Sequence, residues 1–273
     1  MQTQAGFLKN NGAEIFFELA GDGPPLVLIH AGVADSRMWD GICEALAKKS
    51  RVLRYDLRGY GKSSLPGGPF AHHEDLHALL THHGLQKPVL VGVSYGAKIL
   101  IDFALTYPEL CGGLVLVSPV VGGWSFSSEI HEFGSSEDEF LERGDIEGAT
   151  ELNLRFWLAG PKRSLDQLNV IVVEKAREMQ KNAFRVQLAS KEAVAQGIEP
   201  PATKRLAEIE CPALIITGDQ DVADIFAIAE RLHRDISGSV LQPLKGVGHL
   251  LCMEQPEKFT ALLKEFLRRV RER

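Results

Sequence analysis

Apolar positions along this chain change their spacing in a repeating rhythm. Gly6 to Leu19 reads as two short strands around an Asn10-Asn11-Gly12 turn, a hairpin signal. Leu26-Val27-Leu28-Ile29 is continuously apolar, as expected of a strand buried on both faces. A helix is then expected over Ser36–Lys48, a strand over Arg51–Leu57, a helix over Glu74–His83 and a strand over Pro88–Val93. Helix Gly96–Thr106 and strand Gly113–Val117 continue the series. After Pro119 the rhythm stops. Residues 122–205 carry helical patterning rich in Glu, Lys, Arg, Ala and Leu, with no strand-and-turn series. Alternation resumes with strand Ala213–Thr217, helix Ile225–Asp235, strand Val240–Pro243 and a final helix from Glu257.

Alternating strands and helices predict an α/β fold: a mostly parallel eight-stranded sheet with an antiparallel N-terminal hairpin and helices on both faces. Residues 1–121 and 206–273 form the expected core. Residues 122–205 are then a helical cap inserted after the sixth predicted strand. In open α/β sheets ligands bind where strands end, so an insertion there is placed to act as a lid.

Composition narrows the function classes. Thirty Lys plus Arg against thirty-six Asp plus Glu give a net charge of −6 over 273 residues. Without a basic excess, neither nucleic acid nor an anionic membrane surface is the expected partner. The start, MQTQAGFLKN, carries no apolar run of the kind a secretory signal needs, and Lys98 and Asp102 interrupt the best apolar stretch, Val89–Leu105. Cys43, Cys111, Cys211 and Cys252 lie at least 41 residues apart, which fits neither a zinc pair nor a disulfide framework. A cytoplasmic protein is expected.

Gly92-Val93-Ser94-Tyr95-Gly96 is a GxSxG sequence between a buried strand and a helix, the setting of a nucleophile elbow. The turn is so sharp that a Cβ two residues either side of the serine would clash. Serine needs a base, and the base needs a group that fixes its tautomer. Among nine histidines, His249 stands out in the loop Gly246-Val247-Gly248-His249, after the last predicted strand. His72, His73, His77, His82 and His83 lie on or beside one helix, where a solvated face is the expected reading; His131 and His233 read as surface positions. Asp219 and Asp221, after strand Leu214–Thr217, are both candidates for the acid. Asp56 is expected to order the following turn. For an oxyanion hole, His30-Ala31-Gly32-Val33 and the N–H of Tyr95 can present free backbone donors. His30 is read as structural.

This constellation resembles the α/β-hydrolase superfamily, in its lidded esterase, lactonase and C–C hydrolase group. Ile29-His30-Ala31-Gly32 looks like the family's oxyanion loop, with alanine at a usual glycine. Asp56-Leu57-Arg58-Gly59-Tyr60-Gly61-Lys62-Ser63 is similar to its D-x-R-G-x-G-x-S turn, and Gly248-His249 with Glu254–Phe259 to its terminal histidine segment. The resemblance implies a Ser94–Asp221–His249 triad, with the acid at the last position of Gly218-Asp219-Gln220-Asp221. It also implies an oxyanion hole built from Gly32 and Tyr95. Serine at position 94 disfavours the relatives that use an aspartate nucleophile.

The cap splits by charge. Glu129–Glu151 holds nine acids and one base, and Leu152–Arg205 five acids and ten bases. Opposed charged helix faces account for that split. A sharper reading places an anion site in the basic half, with Arg155 beside Phe156 and Trp157 receiving a substrate carboxylate, as would suit an enol-lactonase. Trp124, Phe126, Phe133, Phe156 and Trp157 are candidates to line an acyl pocket. The expectation is a serine hydrolase of a small ester or lactone that needs no cofactor and no metal. The alternatives are a C–C hydrolase, a lyase, a cofactor-free haloperoxidase-like enzyme, or a ligand receptor on the same fold.

Overall fold

The computed structural model describes residues 3–190 and 192–272. Asn11 and Gly12 take positive φ values of 44° and 78°, the backbone that lets a two-residue turn match the twist of its strands. They join β1 (Thr3–Asn10) to β2 (Ala13–Ala20). There follow β3 (Pro25–Ile29), α1 (Asp40–Ala47), β4 (Arg51–Tyr55), β5 (Gly68–Phe70), α2 (His72–His83), β6 (Val89–Val93), α3 (Tyr95–Thr106) and β7 (Gly113–Val117). The inserted segment holds α4 (Ser128–Glu142), α5 (Ile146–Asn153), a π-helical turn over Leu154–Ala159, α6 (Val170–Leu188) and β8 (Ala193–Ala195). The chain closes with β9 (Ala213–Gly218), α7 (Ala223–Asp235), β10 (Val240–Leu244), α8 (Leu251–Glu254) and α9 (Pro256–Arg271).

Eight strands form one sheet in the order β1-β2-β4-β3-β6-β7-β9-β10. Pairings β1–β2 and β2–β4 are antiparallel, and the rest are parallel. Side chains alternate between two apolar layers with the period of two that a pleated strand imposes. Val27 and Ile29 join Leu76, Leu100, Phe103 and Ile228 on the face covered by α2, α3 and α7. Leu26 and Leu28 join Trp39, Ile42, Phe259 and Leu263 under α1 and α9. The second layer runs on into the cap through Leu154, Leu158, Val173, Ala176 and Met179.

Three expectations are corrected. The helix expected from Ser36 begins as a 3-10 turn over Ser36–Trp39, capped by the Asp35 side chain. The region expected to lack strands contains β8, paired in parallel with β5; three residues are too few to show a periodicity. Three of the five α2 histidines leave the solvated face expected of them, while His82 stays exposed and His77 half-buried. His72, His73 and His83 are buried, because α2 is wedged between the hairpin and α3. The His72 ring meets Phe70 and Tyr95 edge-on at 4.9 and 5.4 Å, and His83 meets Phe17 at 4.4 Å.

Part of the charge split of the cap is paired within it. Glu151 of α5 faces Arg177 of α6 at 2.5 Å, and Glu147 faces Lys181 at 3.0 Å.

Candidate active site

Parallel strands end on one edge, so the loops after β3, β6, β9 and β10 emerge together. β6 is central: Gly92 pairs with Ile29 on one side and Leu116 on the other. One residue past β6, Ser94 adopts φ 54° and ψ −112°, a conformation that costs a non-glycine residue of order 1–3 kcal/mol. The turn is held by crowding. A Cβ on Gly92 would lie 2.6 Å from the Gly96 carbonyl group, and one on Gly96 2.7 Å from the Ile29 and His30 carbonyl oxygens.

His249 is buried, and its Nδ1 lies 2.8 and 3.1 Å from the two carboxylate oxygens of Asp221. An acceptor at that distance places the proton on Nδ1 and leaves the Nε2 lone pair free. Asp219 points elsewhere: its Oδ1 accepts the Gly246 N–H at 2.6 Å and the Gln220 amide at 2.8 Å. Gln220 N–H donates to Val247 O at 3.0 Å, tying the aspartate loop to the histidine loop.

His30 and Asp56 organise the opposite wall. His30 Nδ1 donates to Ala31 O at 2.8 Å, and its Nε2 accepts the Leu57 N–H at 2.9 Å. Burial lowers the His30 pKa, which favours this neutral tautomer. The Asp56 carboxylate accepts the N–H groups of Ser36 and Lys62, each at 2.8 Å, closing the glycine-rich turn.

A cavity of about 300 Å³ opens between this edge and the cap, enough for a small molecule. Gly32, Ser94, Tyr95, Phe126, Trp157 and His249 all line it. Gly32 and Tyr95 adjoin, since a Cβ on the glycine would lie 3.6 Å from the Tyr95 Cβ. Tyr95 opens α3, where the N–H groups of a first helical turn have no partner within the helix. Trp157 packs on the His249 ring with centroids 4.6 Å apart, and Phe133 meets Trp157 at 5.5 Å.

Three sequence candidates for the pocket lie outside this lining, among them Phe156, which stacks on Phe133 with ring centroids 4.3 Å apart. Arg155 is exposed; the π-helical turn, closed by Gly160 N–H to Arg155 O at 3.1 Å, faces Trp157 to the site and Arg155 to solvent. Trp124 is engaged elsewhere, its indole N–H donating to Asp224 at 3.2 Å. Polar lining residues that the sequence reading missed are Tyr60, Glu137, Asn153, Gln180 and Gln187. Only the spacing of Ile130, Phe133 and Glu137 along one side of α4 signalled any of them. Burial pushes the Tyr60 phenol up to about 12, so it remains a donor. Among the described residues, no group of three or more His, Cys, Asp or Glu side chains is placed to hold a metal ion, and no helix is long and apolar enough to cross a membrane.

Residues 24–256 match the family model described as alpha/beta hydrolase fold. The chain belongs to the α/β-hydrolase family. This α/β-hydrolase is 26% identical over 295 residues to a proline iminopeptidase of Lactobacillus helveticus, covering 98% of each chain. A solved thermophilic esterase from Thermogutta terrifontis superposes with a TM-score of 0.79 at 28% identity, covering 99% of both chains. The enol-lactonase of Burkholderia xenovorans LB400 superposes equally well, TM-score 0.79, over 96% of this α/β-hydrolase and 99% of the lactonase. Its 22% identity makes that a likeness of fold.

Proposed function

We propose that this α/β-hydrolase cleaves a small carboxylic ester or lactone through an acyl-enzyme on Ser94. The observation that carries the reading is the strained Ser94 turn sharing one cavity with a His249 whose Nδ1 is bonded by Asp221. Ser94 Oγ attacks the carbonyl carbon while His249 Nε2 takes its proton. The N–H groups of Gly32 and Tyr95 receive the oxyanion. His249 returns the proton to the leaving alcohol, and Asp221 stabilises the imidazolium in between. Water then attacks the acyl carbon, His249 removes its proton, and the acid leaves with Ser94 restored. Residues 1–121 and 206–273 supply this machinery in our reading, and the cap, 122–205, roofs it.

The test is hydrolysis of p-nitrophenyl acetate, butyrate and octanoate by the wild type and by Ser94→Ala. Proline p-nitroanilide belongs in the panel because a proline iminopeptidase aligns over 98% of the chain. Turnover by the wild type and its loss in a folded Ser94→Ala is the expected result. Full activity in the variant removes Ser94 from the mechanism. A folded wild type inert on every ester and amide points instead to a C–C hydrolase, a lyase or a receptor.

A further inference from the structure

The cap side of the cavity is not a plain acyl wall. Glu137 of α4 lines it, half-buried, and its Oε1 accepts a hydrogen bond from Asn153 Nδ2 at 2.5 Å. Gln180 of α6 lines the same wall, is 3% exposed, and has a buried Oε1 with no hydrogen-bond partner among the described residues. Neither lysine nor arginine lines the cavity among those residues. Here a half-buried carboxylate with one side-chain donor and a buried amide oxygen line the wall, with no protein cation among the lining residues.

Such an arrangement is costly to an empty fold. A buried acceptor without a donor forfeits about 1–3 kcal/mol, and a half-buried carboxylate with one donor keeps part of its own desolvation cost. Removal from water accordingly holds the Glu137 carboxyl above the usual carboxylate range, against the opposing effect of the Asn153 hydrogen bond. A ligand that brings a positively charged N–H donor would give the Glu137 carboxylate the cation it lacks. One that brings a second carboxylate would meet like-charge repulsion where water screens it only in part.

We propose that Glu137 is a specificity-determining residue that holds an ammonium group of the substrate. This rests on the acyl-transfer reading and names a substrate class opposite in charge to the carboxylate substrate expected from Arg155. Glu137 takes no part in bond making; it anchors the end of the substrate remote from the scissile carbonyl.

Two matched panels test it, one for each side of the ester. Methyl 6-aminohexanoate is compared with methyl heptanoate and monomethyl adipate, and 4-aminobutyl acetate with pentyl acetate, by pH-stat. In at least one panel the ammonium ester should exceed its alkyl isostere in kcat/KM by about 10-fold, the worth of a charge-assisted hydrogen bond, with the adipate poorest. Glu137→Gln, and Glu137→Ala as a second variant, should erase that preference. Alkyl esters preferred in both panels, or a preference that survives both variants, overturns the assignment. Calorimetric titration of Ser94→Ala with pentylamine, with and without Glu137→Gln, reads the ammonium site without turnover. Binding that depends on Glu137 in a protein inert on esters would keep the site and reject the acyl-transfer reading. No Glu137-dependent binding, with esters hydrolysed, rejects the site alone.

Discussion

Arg163 of the cap and Glu254 of α8 form a largely buried ion pair, Nη1 to Oε2, at 2.6 Å. The second carboxylate oxygen of Glu254 accepts the N–H of Gly248, next to His249, at 2.8 Å. Arg163 also donates to Leu158 O and Ala159 O, each at 2.9 Å, and to Gly246 O at 3.3 Å. One guanidinium therefore ties the C-terminal end of the π-helical turn to the loop that carries the histidine.

That tie should matter to rate more than to affinity. Arg163→Met and Glu254→Gln each leave a buried charge or N–H without its partner and loosen the backbone beside His249. A displacement of about 1 Å can cost about 100-fold in catalysis. We expect kcat to fall by about 10- to 100-fold with KM little changed, measured on whichever ester the wild type hydrolyses. An unchanged kcat in both variants would mean the His249 loop holds its own shape.

Asp221 and Asp219 make contrasting predictions. Asp221→Asn should lower kcat by about 10,000-fold, the effect of leaving the imidazole in the wrong tautomer. Asp219→Asn, which weakens only loop hydrogen bonds, should cost under about 10-fold. The opposite ranking would transfer the acid's role to Asp219.

Buried imidazoles set the acid limit of stability. Desolvation lowers the pKa of His72 to about 3 and of His83 to about 4, from an ordinary 6.5. The unfolded chain takes up these protons near pH 6.5 and the folded one only well below it, so the unfolded state binds more protons in between. Stability is therefore full above about pH 6.5 and declines as pH falls toward 4. His83→Phe keeps the ring beside Phe17 and removes one titrating group, whose Nε2 has no hydrogen-bond partner among the described residues. Urea midpoints between pH 7 and 4.5 should fall less steeply in that variant; parallel slopes would contradict this origin.

Cys111 and Cys211, 100 residues apart in sequence, bring their sulfur atoms to 3.3 Å at the starts of β7 and β9. The hydrogen bond from Cys111 lowers the Cys211 thiol pKa, making it the better nucleophile. Diamide should oxidise this pair to a disulfide, the two thiol hydrogens passing to the reagent. Closing so long a loop should add about 2–4 kcal/mol to stability. Thiol titration should lose two groups in the wild type and none in Cys111→Ser.

What the sequence by itself determined was most of what is local to one long element or one strand end. The eight strands of the sheet, the hairpin at Asn11-Gly12, the GxSxG turn and the loops holding Asp221 and His249 follow from short-range rules: period, turn residues and steric crowding. The chain order then forces those loops to one edge, because parallel strands end together. The cap shows where this reasoning stops. Arg155 and Trp157 are two residues apart, which sets them on opposite sides of a helical turn; only the packing of that turn decides that Trp157 lies on His249 and Arg155 in solvent. Trp124 left the pocket for Asp224, a partner 100 residues away that no local pattern announces. The polar wall of Glu137, Asn153 and Gln180 comes from three separate helices. Only their packing decides that these side chains share a cavity.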